Sequence, residues 1–187
     1  MRSRLLQFVI AAGLVGGIAG GLASTGCSTA PKTTAEKEAL GDEARAAKTL
    51  AEAQDPSLHN FLENAYGYAI FPSIGKGGFG VGGAYGRGEV MERGRLIGYC
   101  DMTQATFGLQ AGGQKYTEII AFQDKAALDK FTRGDFELAA QATAVALSSG
   151  AGANARYTNG ISIMTMDEKG LMAEAVVGGQ KFSFKPI

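Results

Sequence analysis

The run from Tyr68 to Gly88, with the sequence YAIFPSIGKGGFGVGGAYGRG, decides how this chain folds. Glycine recurs through it among aromatic and apolar residues that tend to alternate. A glycine inside a strand often marks a place where another backbone or an aromatic ring approaches closely, because no side chain holds it away. The run therefore predicts a strongly curved sheet that packs against a close neighbour.

The same run contains a pattern that is typical of dinucleotide-binding proteins. Gly78, Gly80 and Gly83 match GxGxxG. That pattern holds a pyrophosphate only between a strand and a helix, because the amides at the helix start bind the phosphates. The continuation, residues 84–91, contains Gly86 and Gly88 and does not have the composition of a helix. The sequence therefore predicts that this run binds no nucleotide.

Two helices are predicted before this run. Residues 35–53 are rich in Ala, Glu, Lys and Leu, which favour helix, with apolar residues at helical spacing: Leu40, Ala44, Ala47 and Ala51. Asp55 and Pro56 are typical of a helix start, since Asp caps backbone amides and Pro has no N–H to leave unpaired. The second helix, 56–66, has an apolar face formed by Leu58, Phe61, Leu62 and Ala65.

Strand patterns dominate the rest of the chain. Residues 91–95 are predicted to form a hairpin turn that joins strands at about 79–91 and 95–101, and further strands are predicted at 107–112, 116–122, 136–147, 157–166 and 171–178. The 116–122 strand is apolar on both faces, which indicates a central position. Asp124 is expected to cap a helix that ends at Gly134.

These elements predict an α+β fold. We expect a strongly twisted antiparallel sheet or open barrel, covered by short helices at 56–66 and 124–133. A signal peptide and an N-terminal helix are expected to precede it. About 160 residues are enough for a core of their own.

The amino terminus is typical of an export signal. Arg2 and Arg4 precede an uncharged apolar run, residues 5–23, and then a segment of small residues that ends at Cys27. A transmembrane helix is the alternative, but five glycines lower the helix propensity of the run, which barely reaches the ~20 residues that a span needs. We therefore expect residues 1–26 to be a signal peptide.

Cys27 is the expected lipid anchor of the mature chain. Gly26, Cys27 and Ser28 resemble the end of a lipoprotein processing box, although Ser24 occupies a position where that box prefers leucine. Cleavage after Ala30 without acylation is the alternative. Residues 27–34 are then a short tether, and residues 35–187 form the mature domain. Ser28 after the cysteine resembles the sorting pattern for the outer membrane, so we expect a lipoprotein that faces the periplasm, with a secreted periplasmic protein as the alternative.

The net charge and the small number of cysteine and histidine residues argue against several functions. Removing Arg2 and Arg4 from the 18 Lys and Arg leaves 16 against 18 Asp and Glu, and hence a net charge of −2. A nucleic-acid binder would normally carry a clear basic excess, so none is expected to be a partner. Cys100 is expected to be a small buried apolar residue. His59 is the only histidine in the sequence and is expected to be exposed, which makes a poor metal site.

No catalytic constellation stands out. The sequence has no Gly-x-Ser-x-Gly elbow, and the paired carboxylates Asp42-Glu43 and Asp167-Glu168 fall on a solvated helix and in a predicted turn. We therefore expect a protein that is not an enzyme and that uses no cofactor.

The glycine-rich run also resembles the opening of the SYLF domain, or yeast actin-patch type domain. The fixed positions of that family are filled here by Ala69, Phe71, Pro72, Ser73, Lys76, Gly78, Gly80, Tyr85 and Gly86. The likeness continues in Phe107–Gly112, Leu128–Phe131 and Lys169–Ala173, and it covers roughly residues 48–185. Tyr99 followed by Cys100 departs from an aromatic pair that is common in the family.

The resemblance implies lipid binding. For an exported bacterial protein the implied ligand is phospholipid or another anionic amphiphile. Six cations near predicted strand ends are the candidate headgroup-binding residues: Lys76, Arg87, Arg93, Arg95, Lys115 and Lys181. The alternative is a scaffold lipoprotein that binds another envelope protein.

Overall fold

A computed structural model describes residues 31–108, 114–133, 136, 138, 144–167 and 179–187. Their elements are α1 (Thr34–Gln54), α2 (Ser57–Asn64), β1 (Gly67–Glu92), β2 (Arg95–Gly108), β3 (Gln114–Phe122), α3 (Lys125–Thr132), β4 (Val145–Ala146), α4 (Ala151–Asn154), β5 (Ile161–Asp167) and β6 (Lys181–Pro186). The strands form one sheet in the order β4-β5-β3-β1-β2-β6. Neighbours are antiparallel except β4 and β5. The predicted α+β class is confirmed.

The long strand β1 doubles back on itself. Its 26 residues would span about 86 Å if straight, several times the radius of a domain of this size. Residues 67–76 pair with β3, whereas residues 80–92 pair with β2. The backbone N–H of Arg93 donates to the Tyr66 carbonyl at 3.0 Å, which brings the two ends of β1 side by side. β1 thus supplies two strand segments, so the six described strands form a twisted open sheet of seven segments.

The turn between β1 and β2 is the predicted hairpin. Arg93 and Gly94 both have positive φ, 47° and 76°, as a two-residue turn of the primed type requires. Glu92 pairs with Arg95 across it. A register shift between Val90 and Met91 adds local twist to this end of the sheet.

β3 is the central strand that the sequence predicts, since it lies between β1 and β5 and is buried on both faces. Ile120 and Phe122 point to one face, called here the inner face, where they pack with Leu128 of α3. Ile119 points to the other, the outer face, where it packs with Leu58 of α2. The sheet is therefore a middle layer with helices on both sides.

The inner core is built around Phe131 of α3. Its ring centroid lies 5.0 Å from that of Phe122, 5.2 Å from Phe182 and 5.4 Å from Phe136. Such tilted aromatic pairs add stability beyond the area that they bury. The Asp124 carboxylate accepts a hydrogen bond from the Ala127 amide at 2.9 Å, so the predicted cap of this helix is confirmed. Gly134, its predicted end, lies outside the described residues.

α1 and α2 cover the outer face. Thr33 and Glu36 form a capping box at the start of α1. The predicted apolar face of α1 is buried, at Leu40, Ala44, Ala47 and Ala51. Asp55 accepts the Ser57 amide at 3.0 Å at the start of α2, as predicted, while Pro56 immediately precedes the helix.

One stretch of chain reaches both edges of the sheet. Leu138 donates to the Gln180 carbonyl and Phe136 accepts from the Phe182 amide, both beside β6. At the other edge, the Leu147 amide donates to the Thr165 carbonyl of β5. The prediction of a continuous strand at 136–147 is wrong at its start, because Phe136 and Leu138 lie outside any strand, and of its described residues only Val145–Ala146 form one.

Other strand boundaries also differ from the prediction. β2 runs without a break to Gly108, so the strand predicted at 107 begins as part of β2. The strand predicted at 157–166 starts at Ile161, because a turn with positive φ at Asn159 and Gly160 precedes it. β6 was not predicted. The strand predicted at 171–178, the signal peptide and Cys27 lie outside the described residues. Of the tether predicted at 27–34 only residues 31–34 are described, and its end differs from the prediction because Thr33 caps α1 and Thr34 is its first residue.

Candidate functional site

The structure places the six predicted headgroup residues in three separate places. Arg93 and Arg95 lie at the β1–β2 turn, Lys76 and Lys115 lie on β1 and β3, and Arg87 and Lys181 lie on β1 and β6. Five of them are exposed, and Lys76 is half-buried. The six therefore do not form one site, and each pair has different surroundings.

The turn pair is tied to its own hairpin. The Arg93 guanidinium lies over the Tyr66 ring, 4.8 Å from its centroid. The Tyr66 hydroxyl donates to Glu92 at 2.8 Å, and this hydrogen bond raises the pKa of Tyr66. A carboxylate thus lies beside this cation, which weakens the attraction of the turn for an anion.

Lys76 and Lys115 are neighbours across the β1–β3 ladder. Gly75 is opposite Lys115, and Lys76 is opposite Gln114. Both lysines lie where this ladder ends, far along β1 from the β1–β2 turn. They form what we call the basic corner. The sequence places each lysine near a strand end but does not predict that the two are neighbours.

Arg87 and Lys181 share the outer face. Cys100 and Met102 of β2 point into the inner core, so Asp101 and Thr103 point outward. Arg87 is opposite Asp101, and Lys181 is opposite Thr103. From the strand spacing, the Cα atoms of Arg87 and Lys181 are roughly 12 Å apart.

Two cations that the sequence analysis did not select extend this surface. Lys185 is opposite Tyr99 on β6 and is exposed. Lys37, in the first turns of α1, has its Nζ 5.6 Å from the centroid of the Tyr99 ring. These two lysines and the pair Arg87 and Lys181 form what we call the outer basic face: Lys37, Arg87, Lys181 and Lys185.

Carboxylates on this face are engaged within the protein. Asp101 is buried and accepts hydrogen bonds from the Tyr85 hydroxyl at 3.2 Å and the Ser183 hydroxyl at 3.3 Å. Glu36 accepts the amides of Lys32 and Thr33, which lower the pKa of its carboxyl. Burial raises the pKa of Glu89. The four cations of the face are exposed, whereas Asp101 is buried, Glu89 is half-buried and Glu36 is exposed at the start of α1.

A cleft opens at one end of the outer basic face. It has a volume of about 450 Å³ and is lined by Gly82, Thr103, Gln104, Ala105, Gly179 and Lys181. Most of these residues are small, so few long side chains fill the cleft. Lys181 is the charged residue of its lining. The outer basic face thus combines cations with a concave edge.

Two expectations about single residues agree with the structure, namely that His59 is exposed and that Cys100 is buried. His59 is exposed and lies 3.1 Å from Glu52. Across the described ranges, no group of His, Cys, Asp and Glu side chains is arranged to hold a metal ion. Cys100 is buried, and burial raises the pKa of its thiol. Gly78 to Gly83 lie within β1, so GxGxxG opens no helix here. None of the described helices is both long and apolar enough to cross a bilayer.

A polar cluster on the inner face was not predicted from the sequence. Glu118 and Gln180 are fully buried, and the Gln180 side chain joins Glu118 to Tyr116. Glu118 lies inside a strand that was interpreted as apolar on both faces. The alternation of β3 is the signal that could have found it, because it assigns Glu118 to the same face as Ile120 and Phe122.

The fold and this surface define the class of the protein. It is a small α+β domain, a twisted antiparallel sheet between helices, with a basic face beside the start of its first helix.

Comparison with known proteins agrees with this class. The family model described as "Ysc84: Las17-binding protein actin regulator" matches residues 103–186. "Beta cell expansion factor A" of Aeromonas veronii is 32% identical over 155 residues, which are 81% of this chain and 59% of that protein. The chain thus spans about three fifths of the length of this relative. The chain belongs to the Ysc84, or SYLF, family, and the resemblance found in the sequence is confirmed.

Proposed function

We propose that the chain is an exported, membrane-tethered domain that binds anionic phospholipid headgroups through its outer basic face and catalyses no reaction. The observation that carries this proposal is the position of that face beside the start of α1. The pKa of Glu36 is lowered mainly by the amides of Lys32 and Thr33, with a smaller contribution from the nearby Arg87. The Lys37 Nζ lies 5.6 Å from the centroid of the Tyr99 ring. The chain therefore enters the domain at this face.

The proposed anchor lies close by in the sequence. Pro31 follows Cys27 by four positions, so an extended chain between them spans at most about 14 Å. Acyl chains on Cys27 would hold the start of α1, and the face beside it, near the bilayer surface. Each Lys or Arg near an anionic surface contributes about 1 kcal/mol of attraction, so the four cations of the face are enough for salt-sensitive binding.

The test is co-sedimentation of residues 28–187, without the anchor, with vesicles that contain phosphatidylglycerol or only phosphatidylcholine. Three matched double variants separate the three places: Arg87→Glu with Lys181→Glu, Arg93→Glu with Arg95→Glu, and Lys76→Glu with Lys115→Glu. All three change the net charge equally. We expect the first to lower retention on anionic vesicles roughly 30-fold or more, since about 2 kcal/mol is lost.

The other two variants serve as controls for net charge. They are expected to retain most of the binding of the unaltered domain. Equal losses in all three would mean that the overall charge, and not the outer basic face, attracts the vesicles. Loss confined to the Lys76 and Lys115 variant would move the site to the basic corner.

A scaffold that binds another envelope protein is the second candidate. The family description supports it, because it names a protein that binds Las17 and regulates actin. A scaffold predicts no retention on anionic vesicles at low salt. The tether is tested separately: labelled palmitate should enter the unaltered chain in the outer membrane and not a Cys27→Ser variant.

A further inference from the structure

Glu118 is a carboxyl group in an apolar place. On β3 it lies between Tyr116 and Ile120 on the inner face, opposite Phe71 of β1 and Thr165 of β5. None of its surface is exposed. A carboxylate in such surroundings is unfavourable unless a cation or several hydrogen bonds compensate for the lost water.

Its described surroundings offer one hydrogen bond and no cation. Gln180 Nε2 donates to Glu118 Oε2 at 2.9 Å and to the Tyr116 hydroxyl oxygen at 3.2 Å. The titratable groups that face Glu118 are Tyr116 of β3 and Cys100 of β2, and burial raises the pKa of both, so both are uncharged. Nothing in these surroundings neutralises a negative charge.

Two oxygens of this cluster lack a donor. Oε1 of Glu118 and Oε1 of Gln180 are buried and accept no hydrogen bond from the described residues. An ionised Glu118 would leave both as acceptors. A protonated Glu118 carries an O–H, so the carboxyl group becomes a donor as well as an acceptor and can satisfy one of the two oxygens. Protonation of Glu118 therefore leaves fewer buried oxygens without a hydrogen bond than the ionised state does.

We propose that Glu118 is a neutral acid in the native protein and that its ionisation, which requires water to enter beside Gln180, makes the pair a pH-sensitive latch on the β6 edge of the sheet. Gln180 immediately precedes β6. Its carbonyl accepts from the Leu138 amide at 2.9 Å, and the Gly179 amide donates to the Leu138 carbonyl at 3.1 Å. Water that enters beside Gln180 would therefore disturb these two backbone bonds, which join the residues before β6 to Leu138.

Ionisation would also open the inner core. Phe182 follows Gln180 by two residues and packs against Phe71, Phe131 and Phe136. A carboxylate at Glu118 must gain water, and its hydrogen-bond partner Gln180 is the member of the cluster next to the edge strand β6. The expected result is a segment, residues 179–182, that opens more often at alkaline pH.

The pH window follows from the direction of the shift. Burial raises the pKa of Glu118 from an ordinary 4.5 to about 7, against a lowering by the Gln180 hydrogen bond. The native state therefore binds more protons than the open state between these two values. The closed state is therefore fully stable below 4.5 and loses stability as the pH rises from 4.5 through about 7, above which the loss levels off.

The first test titrates the unaltered protein. The ¹³C shift of the Glu118 side-chain carboxyl, measured by NMR between pH 4 and 9, reports its ionisation directly. We expect a midpoint near 7, well above the ordinary value of 4.5 for a glutamate side chain. A Glu118 midpoint near 4.5 would overturn the proposal, whatever any variant does.

The second test measures opening. Amide hydrogen exchange at residues 179–182, corrected for the intrinsic exchange rate, is compared at pH 6 and pH 8.5. Linkage from the raised pKa predicts roughly tenfold more opening at the higher pH in the unaltered protein and in the control Glu63→Gln. Glu118→Gln, which stays neutral, should remove this difference. A Glu118→Gln variant that keeps the tenfold difference would contradict the latch.

Discussion

The Asp55 carboxylate accepts a hydrogen bond from the backbone amide of Gly152, 97 residues later in the chain. It also accepts the amides of Ser57 at 3.0 Å and Gly150 at 3.1 Å. One buried side chain thus caps the start of α2 and fixes the start of α4 against it. Burial by itself would raise the pKa of Asp55, but the bonds from Ser57, Gly152 and Gly150 outweigh it and hold that pKa below its ordinary value.

Replacing Asp55 with alanine should destabilise the domain strongly. The change leaves three backbone amides without their acceptor, and a lost bond to a charged group costs more than an ordinary one, so we expect a loss of about 3 kcal/mol. Urea unfolding followed by circular dichroism measures it. Asp42→Ala, at an exposed position of α1, is the matched control and should change stability by less than about 0.5 kcal/mol. Equal effects of the two changes would contradict the role of Asp55.

Asp55 should also contribute to acid unfolding. Because its folded pKa is lowered, the native state binds fewer protons here than the unfolded state, and the stabilisation is present above the ordinary value of 3.8. It is then lost as the pH falls below that value. Urea midpoints between pH 2 and 6 should decline less steeply in Asp55→Asn than in the unaltered domain. An unchanged slope would show that other carboxyl groups control acid unfolding.

Gly88 should tolerate no side chain. A Cβ at this position would lie 2.4 Å from the Ile70 carbonyl oxygen and 2.9 Å from the Phe71 ring, where the two halves of β1 meet. We expect Gly88→Ala to cost 3 kcal/mol or more, about the level of an overpacked core. Gly75→Ala, in the same strand, meets nothing within 4 Å and should be neutral or slightly stabilising. Thermal unfolding of the two variants provides the comparison.

Local patterns predicted much of this fold. The apolar spacing of α1, the caps Asp55 and Asp124, and the turn around Arg93 each depend on residues close together in sequence. The central position of β3 followed from its apolar character on both faces. In each case the residues that cause the structure lie within about one helical turn or one hairpin of each other. Their pattern can therefore be read from a single sequence.

What the sequence did not predict depends on distant pairing. The return of β1 on itself is visible only when Tyr66 meets Arg93, and β6 gains its place from β2 and Leu138. The separation of the six candidate cations into three places could not be predicted, because strand register fixes the neighbours across a sheet and the sequence does not reveal it. Gln180 and Glu118 are 62 residues apart, so neither signals the other.

Cys100 should be inert in the folded domain. It is buried in the inner core, and burial raises the pKa of its thiol, so the reactive thiolate is scarce. In a Cys27→Ser background, a thiol-specific disulfide reagent should label Cys100 at least about a hundredfold more slowly in native buffer than in urea, since labelling requires opening of the core. Similar rates in the two conditions would mean that the inner face of β2 opens readily.

Tyr116→Phe separates the two partners of Gln180. The change removes the hydroxyl oxygen that accepts from Gln180 Nε2 but keeps the ring in the inner core and keeps the bond to Glu118. We expect a loss of about 1 kcal/mol in the free energy of unfolding at pH 6. The decline of stability between pH 6 and pH 8.5 should remain, because burial of Glu118, and not Tyr116, is the main cause of its raised pKa. Tyr157→Phe, whose ring stacks on Phe61 at 5.3 Å, is the control and should change stability by less than about 0.5 kcal/mol. Urea unfolding at both pH values decides: a Tyr116→Phe variant without the pH-dependent decline would assign the titration to the tyrosine contact instead of to burial.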